Sequence, residues 1–144
     1  MNLKVSEIAE MCGGRLVGSG ENTVTSFYTD SRETTPGKMF VPIRGENTDA
    51  HRFIPQVFAS GAAATFSEEP LDAPAGDVVY VENTRAALQK VAESYRERFN
   101  IPVIGITGSV GKTTTKEMVA LAVSAGLKTM KTAGNANSQI GLPM

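Results

Sequence analysis

Hydrophobic residues recur at helical spacing in three stretches of the chain. The clearest stretch covers residues 84–99, whose apolar positions three or four apart predict one buried helix face. A shorter run ahead of Gly13 predicts a helix that Ser6 caps and the glycine ends. Paired apolar positions over residues 51–60 predict a third helix, with Asp49 as its cap.

Short runs of β-branched, aromatic and aliphatic residues between these helices predict strands. The runs are RLVG, TVTSFYTDS, KMFVPI, AAATFS, DVVYVE, PVIGIT and LKTMKT. A Pro-Gly turn precedes the third run, so we expect the second and third strands to be joined by a turn. Because strands and helices alternate, the pattern predicts an α/β fold.

The chain from Pro102 onward predicts a strand, a glycine-rich loop, a helix closed by Gly126 and another strand. This order is a βαβ unit, whose strands are expected to be parallel and buried on both faces. A unit of about 43 residues cannot cover both faces of its own sheet. We therefore expect the chain to be the amino-terminal part of a longer protein.

Composition narrows the class of protein. The 144 residues are 41% hydrophobic and 20% charged, which is typical of a globular chain, and no apolar run approaches the length of a membrane span. A net charge of -1 provides no field that would attract nucleic acid or an anionic membrane. Cys12 is the only cysteine and the start lacks an export signal, so we expect a cytoplasmic protein.

The segment GITGSVGKTTTKEM has the context of a phosphate-binding loop, between a predicted strand and a predicted helix. Gly108 and Gly111 permit the backbone bend, Lys112 offers a charge to a phosphate, and Thr113 offers a hydroxyl to Mg²⁺. The common pattern G-x-x-x-x-G-K-[ST] has a glycine where this chain has Ile106. The alternative interpretation is a plain helix start.

Residues 29–54 hold many polar side chains between strand-like runs. Asp30, Ser31 and Arg32 suit a substrate, the arginine favouring a phosphate or carboxylate, and the alternative is a solvated turn with an Asp cap. His51 is the only histidine and has either a structural or a catalytic role.

Residues 132–143 form another polar segment, directly after the last predicted strand. Asn135 and Asn137 can donate hydrogen bonds to a substrate there, because ligands bind at the carboxyl ends of strands in α/β sheets. A simple exit turn is the alternative.

These three segments together resemble the Mur ligase family, in family order and along nearly all of the chain. The family carries a T-G-x-x-G-K-[ST] loop, which here is Thr107 to Thr113, so Ile106 is what a member would show. The DAH at 49–51 and the GN-x-N at 134–137 are similar to one branch of the family. Members of that branch add D-alanyl-D-alanine to UDP-N-acetylmuramoyl-tripeptide.

The resemblance implies a small amino-terminal α/β domain at residues 1–82 that binds the UDP substrate. It implies a connecting helix at 83–99 and, at 100–144, the first βαβ unit of an incomplete P-loop ATPase domain. In the family, ATP phosphorylates the substrate carboxylate and the dipeptide amine attacks the acyl phosphate. The remaining functional parts would lie beyond Met144, so the resemblance implies that this chain alone is inactive.

The resemblance also implies site residues. Those for the ATP phosphates are Gly108, Ser109, Val110, Gly111, Lys112, Thr113 and Thr114, with Thr113 also meeting Mg²⁺. Those for the substrate are Ser31, Arg32, Asp49, His51, Asn135 and Asn137.

Three other functions stay open. They are a UDP-binding module without catalysis, a folylpolyglutamate-synthase-like ligase or generic P-loop kinase, and an interaction domain that self-associates through the sheet edge beyond residue 132.

Overall fold

Seven short strands and four α-helices make up the part of the chain that the structure describes. The computed structural model describes residues 1–45, 48–132, 138–141 and 143–144. The strands are β1 Leu3–Lys4, β2 Arg15–Val17, β3 Thr23–Val24, β4 Ser26–Tyr28, β5 Lys38–Phe40, β6 Ala64–Ser67 and β7 Asp77–Tyr80. The helices are α1 Val5–Cys12, α2 Ile54–Ala59, α3 Thr84–Glu97 and α4 Lys112–Ser124, and 3₁₀ turns cover Ser31–Glu33 and Ala50–Phe53. The predicted α/β class is confirmed.

The main sheet has five strands in the order β2-β7-β6-β5-β4. Strands β4 to β7 run parallel, and β2 pairs with β7 in the antiparallel sense. The prediction that a turn joins β4 directly to β5 is wrong, because these neighbouring strands are parallel. Residues 29–37 must therefore return the chain to the end of the sheet at which β4 begins. A separate pair is formed by β1 and β3.

The main sheet is covered on both faces. Met39 of β5 packs in one hydrophobic cluster with residues of α1 and α3, whereas the next residue, Phe40, packs in a second cluster with Ile54 and Val57 of α2. All four of these side chains are buried. Successive side chains of a strand point to opposite faces, so the sheet lies between two helical layers.

Helix α1 begins earlier than predicted. Lys4 is its N-cap instead of Ser6, and the Lys4 amide donates to Glu7 Oε2 at 2.9 Å. The amides of Val5 and Ser6 donate to backbone carbonyls in the loop at 20–22, so the first turn needs no serine cap. The predicted stop is confirmed, since Gly13 adopts a left-handed φ of 69°.

Residues 100–132 differ from the prediction. Helix α4 forms over Lys112–Ser124 and ends near Gly126 as expected, but the described residues 102–107 and 127–132 contain no strand. Val103 and Ile104 are 67% and 61% exposed, although buried strands were predicted. A strand must satisfy its backbone groups through neighbouring strands, and no described strand lies beside either segment.

Candidate functional site

The loops after the four parallel strands lie at one edge of the main sheet. We call residues 29–33, 41–45 with 48–51, 68–69 and 81–84 the carboxyl edge, because they follow the carboxyl ends of β4, β5, β6 and β7, respectively. Ligands of α/β sheets bind at this kind of edge. The fold thus gathers Ser31, Arg32, Asp49 and His51, four of the predicted substrate residues, on one side of the molecule.

The loop after β4 contains a capped turn. Asp30 accepts hydrogen bonds from the Arg32 amide at 3.0 Å and from Arg32 Nε at 2.8 Å. These bonds hold the pKa of the exposed Asp30 carboxyl at about 2. The Asp cap of the alternative interpretation is therefore present. The Arg32 side chain is nevertheless 84% exposed, so its guanidinium is open to a ligand.

The loop after β5 holds His51 inside the protein. The ring is buried, with Nδ1 2.6 Å from Asp49 Oδ1, and Nε2 accepts a hydrogen bond from the Glu68 amide at 3.2 Å. Both ring nitrogens are thus used by the protein. His51 therefore supports the carboxyl edge from inside the protein, and neither of its ring nitrogens is left to bind a ligand.

Asp49 caps the 3₁₀ turn that leads into α2, as predicted. Its Oδ1 accepts from the His51 amide at 2.9 Å, and its Oδ2 accepts from Arg44 Nε at 2.9 Å. Although burial opposes the change, these bonds from His51 and Arg44 hold the pKa of Asp49 below its ordinary value. The carboxylate therefore stays charged where the loop needs it.

Glu68 and Thr84 belong to this edge, and sequence reasoning missed both. Glu68 Oε1 accepts from the Thr84 amide at 2.8 Å, which satisfies the first amide of α3. The Thr84 hydroxyl is buried and donates to the Pro42 carbonyl at 2.5 Å. Only the positions of these two residues could have indicated them from the sequence, because each lies within four residues of the end of a predicted strand.

Arg44 lies among three carboxylates of the carboxyl edge. Besides Asp49, it contacts Glu68 Oε2 at 3.5 Å and forms an ion pair with Glu69. Although desolvation opposes the change, Asp49 and the two glutamates raise the pKa of Arg44. Three carboxylates surround the single positive charge of Arg44. The arginine therefore links the loops that carry these carboxylates and does not serve as a binding site for a further anion.

The glycine-rich loop has the backbone that its sequence predicts. Gly108 and Gly111 have φ values of 149° and 79°, which favour glycine. Lys112 begins α4, and its Nζ donates to the Gly108 carbonyl at 2.6 Å, so the ammonium lies across the loop. The N-cap of α4 is Gly111, which has no side chain to bond the amides of the first turn, and a helix N-terminus of this kind favours an anion.

A contact joins the last described residues to the amino-terminal sheet. Gln89 of α3 donates to the Gln139 carbonyl at 3.1 Å, and Ile140 packs against the cluster that contains α1 and α3. Asn135 and Asn137 lie outside the described residues, so their role stays a prediction. Within the described ranges, no helix is long and apolar enough to cross a membrane.

Two known families match successive parts of the chain. Residues 23–105 match the family described as "Mur ligase family, catalytic domain", and residues 106–144 match "Mur ligase middle domain".

A curated relative from Synechocystis sp. is named UDP-N-acetylmuramoyl-tripeptide–D-alanyl-D-alanine ligase. It is 43% identical over 122 residues, which are 83% of this chain and 27% of the relative.

Two solved structures have a similar fold. A UDP-N-acetylmuramoylalanyl-D-glutamyl-2,6-diaminopimelate–D-alanyl-D-alanyl ligase from Acinetobacter baumannii matches all of this chain and 33% of its own, with a TM-score of 0.93 and 34% identity. MurF ligase from Thermotoga maritima, in complex with ADP, matches 82% of this chain and 27% of its own, with a TM-score of 0.74 and 34% identity. The chain spans about a third or less of the length of these relatives.

Proposed function

The chain belongs to the Mur ligase family, and from that membership we propose that it supplies the substrate-binding edge and the ATP phosphate loop of a ligase. The proposed reaction joins D-alanyl-D-alanine to UDP-N-acetylmuramoyl-tripeptide, a step of peptidoglycan precursor synthesis in the cytoplasm. The names of the Synechocystis and Acinetobacter relatives support this choice of substrates. The observation that carries the proposal is the start of α4 at Lys112, directly after the left-handed Gly111 and with the Lys112 ammonium across the glycine-rich loop.

The loop fits the phosphates of ATP. Bound ATP, with Mg²⁺, supplies the phosphoryl group that activates the substrate carboxylate for attack by the dipeptide amine. Residues 108–114 bind and orient the phosphates, with Lys112 moving from the Gly108 carbonyl to the more strongly charged phosphate oxygens. Thr113, one residue into α4, offers its hydroxyl to the metal ion.

The carboxyl edge receives the UDP end of the substrate. The proposed contacts are Ser31 and Arg32, whose turn is held by Asp30 and whose guanidinium is exposed. Asp49 and His51 maintain the neighbouring loop from inside. This assigns residues 1–82 to substrate binding, 83–99 to a connecting helix and 100–144 to the opening of the ATPase domain.

Calorimetry on the chain tests both sites separately. The Lys112→Ala variant is expected to weaken Mg²⁺-ADP binding at least about tenfold, because it removes a charge-assisted contact, and to leave UDP-N-acetylmuramoyl-tripeptide binding unchanged. Lys128→Ala, which removes another exposed lysine of the same region, is the matched control. Equal nucleotide affinity in the two variants would contradict the assignment of the loop.

Arg32→Ala is expected to produce the opposite pattern, with weaker binding of the UDP substrate and unchanged binding of Mg²⁺-ADP. Arg52→Ala is its control, because Arg52 is also an exposed arginine and lies in the next 3₁₀ turn. If the wild-type chain does not bind the UDP substrate, the assignment of the carboxyl edge is wrong.

A UDP-binding module without catalysis is the second candidate. It is favoured by the absence of buried residues among the described residues from 101 onward, in contrast to the buried core of the amino-terminal sheet. Saturable binding of the UDP substrate together with no binding of Mg²⁺-ADP would support this module over the ligase.

A further inference from the structure

The hydrogen bonds around His51 determine which ring nitrogen carries the proton. A backbone amide can only donate, so the bond from the Glu68 amide requires Nε2 to be unprotonated. An ionised carboxylate can only accept, so the 2.6 Å contact with Asp49 Oδ1 requires a proton on Nδ1. The two requirements agree on one neutral tautomer.

This tautomer lies within a continuous set of hydrogen bonds, which we call the loop network and which comprises Asp49, His51, Glu68 and Thr84. Asp49 and His51 follow β5, Glu68 follows β6, and Thr84 follows β7. The His51 ring connects the first loop to the second, and the Glu68 carboxylate connects the second to the third. The Thr84 hydroxyl donates to the Pro42 carbonyl, two residues after the end of β5, and so closes the set.

We propose that His51 is a positioning residue for the UDP-substrate site, acting as the Nδ1-protonated tautomer that holds three loops of the carboxyl edge in one arrangement. The role in substrate binding rests on the function proposed above, whereas the tautomer and the loop network do not. The ring contributes no contact to the substrate, because both of its nitrogens are already bonded within the protein.

The physical basis of the proposal is preorganisation. A loop that is ordered only on binding lowers the affinity by the entropy of that ordering. The His51 ring is buried, so its two bonds are shielded from competition with water. Loss of either bond leaves a buried polar group unsatisfied and allows one loop to move.

Nitrogen-15 NMR of the ligand-free chain tests the tautomer directly. Because His51 is the only histidine, a histidine-labelled sample shows a single ring without any assignment step. We expect the proton on Nδ1 and an unprotonated Nε2. A proton on Nε2, or a fast average of the two tautomers, would overturn the proposal whether or not the chain binds a UDP substrate.

Two variants that each keep half of the ring's bonding test the positioning role. His51→Asn retains a donor near Nδ1 and loses the acceptor for Glu68, whereas His51→Gln places an acceptor near Nε2 and loses the donor to Asp49. We expect the Glu68 amide to exchange with solvent faster in His51→Asn than in His51→Gln. Equal exchange in the two variants would contradict the loop network.

The same variants are expected to bind UDP-N-acetylmuramoyl-tripeptide about tenfold more weakly, the change that corresponds to one lost hydrogen bond, with Mg²⁺-ADP binding unchanged. Arg52→Ala, an exposed neighbour on the same 3₁₀ turn, is the control and should leave both affinities unchanged. Unaltered UDP-substrate affinity in both His51 variants would overturn the positioning role. If the wild-type chain binds no UDP substrate, the proposed function fails and the tautomer measurement still decides the loop network.

Discussion

The amino-terminal sheet and residues 100–132 both contain short apolar runs that predict strands. The apolar side chains of these runs are buried only in the sheet. Val78 and Val79 of β7 are 0% exposed, whereas Val103 and Met130, from two other runs that predicted strands, are 67% and 95% exposed. Each region also has a glycine that stops or starts a helix at a positive φ, Gly13 in the first and Gly111 in the second. Glycines therefore start or stop helices in the same way in both regions, whereas apolar side chains are buried only in the first.

The difference follows from strand pairing. Each of β5, β6 and β7 has a neighbour on both sides, which satisfies its backbone groups and lets its side chains pack against helices. The described part of residues 100–132 contains α4 and no strand, so its apolar side chains have no sheet to complete. A helix and its loop form from local interactions, whereas a buried strand requires partners.

Two leucines on helices give the largest expected contrast. Leu88 of α3 is 0% exposed and Leu121 of α4 is 75% exposed. Leu88→Ala is expected to lower the free energy of unfolding by about 2–5 kcal/mol through lost burial and a residual cavity. Leu121→Ala is expected to change it by about 0.5 kcal/mol or less. Urea unfolding followed by circular dichroism measures both, and equal losses would mean that the two regions are packed alike.

Two glycines at positive φ give the next contrast. An added Cβ at Gly18 would lie 2.2 Å from Oδ1 of the buried Asp77, whereas one at Gly111 would have no atom within 4 Å. Gly18→Ala is expected to destabilise the chain by about 2 kcal/mol or more, because it displaces a carboxylate that holds the 18–22 loop. Gly111→Ala is expected to cost about 1 kcal/mol of backbone strain alone. The same unfolding experiment measures both, and a smaller loss for Gly18→Ala would contradict the crowding.

The helix starts provide a smaller contrast. Asn83 caps α3 through a 2.8 Å bond from the Ala86 amide, whereas α4 begins without a side-chain cap. Asn83→Ala is expected to reduce stability by about 1 kcal/mol. Gly111→Asn is expected to weaken Mg²⁺-ADP binding, since a side chain at the bend crowds the close approach of the phosphates to the loop amides. Unchanged nucleotide affinity in Gly111→Asn would contradict the use of those amides.

The smallest expected effect is the acid response of Asp30. Its pKa is lowered from 3.8 to about 2, so its charged bonds to Arg32 are fully present above pH 3.8 and are lost as the pH falls through about 2. A carbon-13 NMR titration of the Asp30 carboxyl should show this depressed midpoint. Arg32→Ala should raise the midpoint toward 3.8, and an unchanged midpoint would show that the pair does not form in solution.

The sequence predicted the elements better than their arrangement. The ends of α1 and α4 near Gly13 and Gly126, the cap at Asp49 and the bend at Gly108 and Gly111 all depend on backbone properties of one or two residues, and all are observed. The parallel pairing of β4 with β5 was missed, because a short connection between strands usually indicates a hairpin.

The candidate site divides in the same way. The phosphate loop was predicted from contiguous residues, and its backbone agrees with the prediction. The role of His51 as a support was left open between a structural and a catalytic interpretation, because its partner Glu68 is 17 residues away in the chain. Ser31, Arg32, Asn135 and Asn137 stay predictions as substrate contacts.

By itself, the sequence determined the α/β alternation, the carboxyl-terminal ends of α1 and α4 and the glycine-lysine loop, because each depends on interactions within a few residues. Only the tertiary structure decided the strand order, the two-sided burial of the main sheet and the loop network that joins Asp49 to Thr84 through His51 and Glu68. Those features depend on groups that parallel pairing brings together across the sheet, and spacing along the chain does not encode which strands become neighbours.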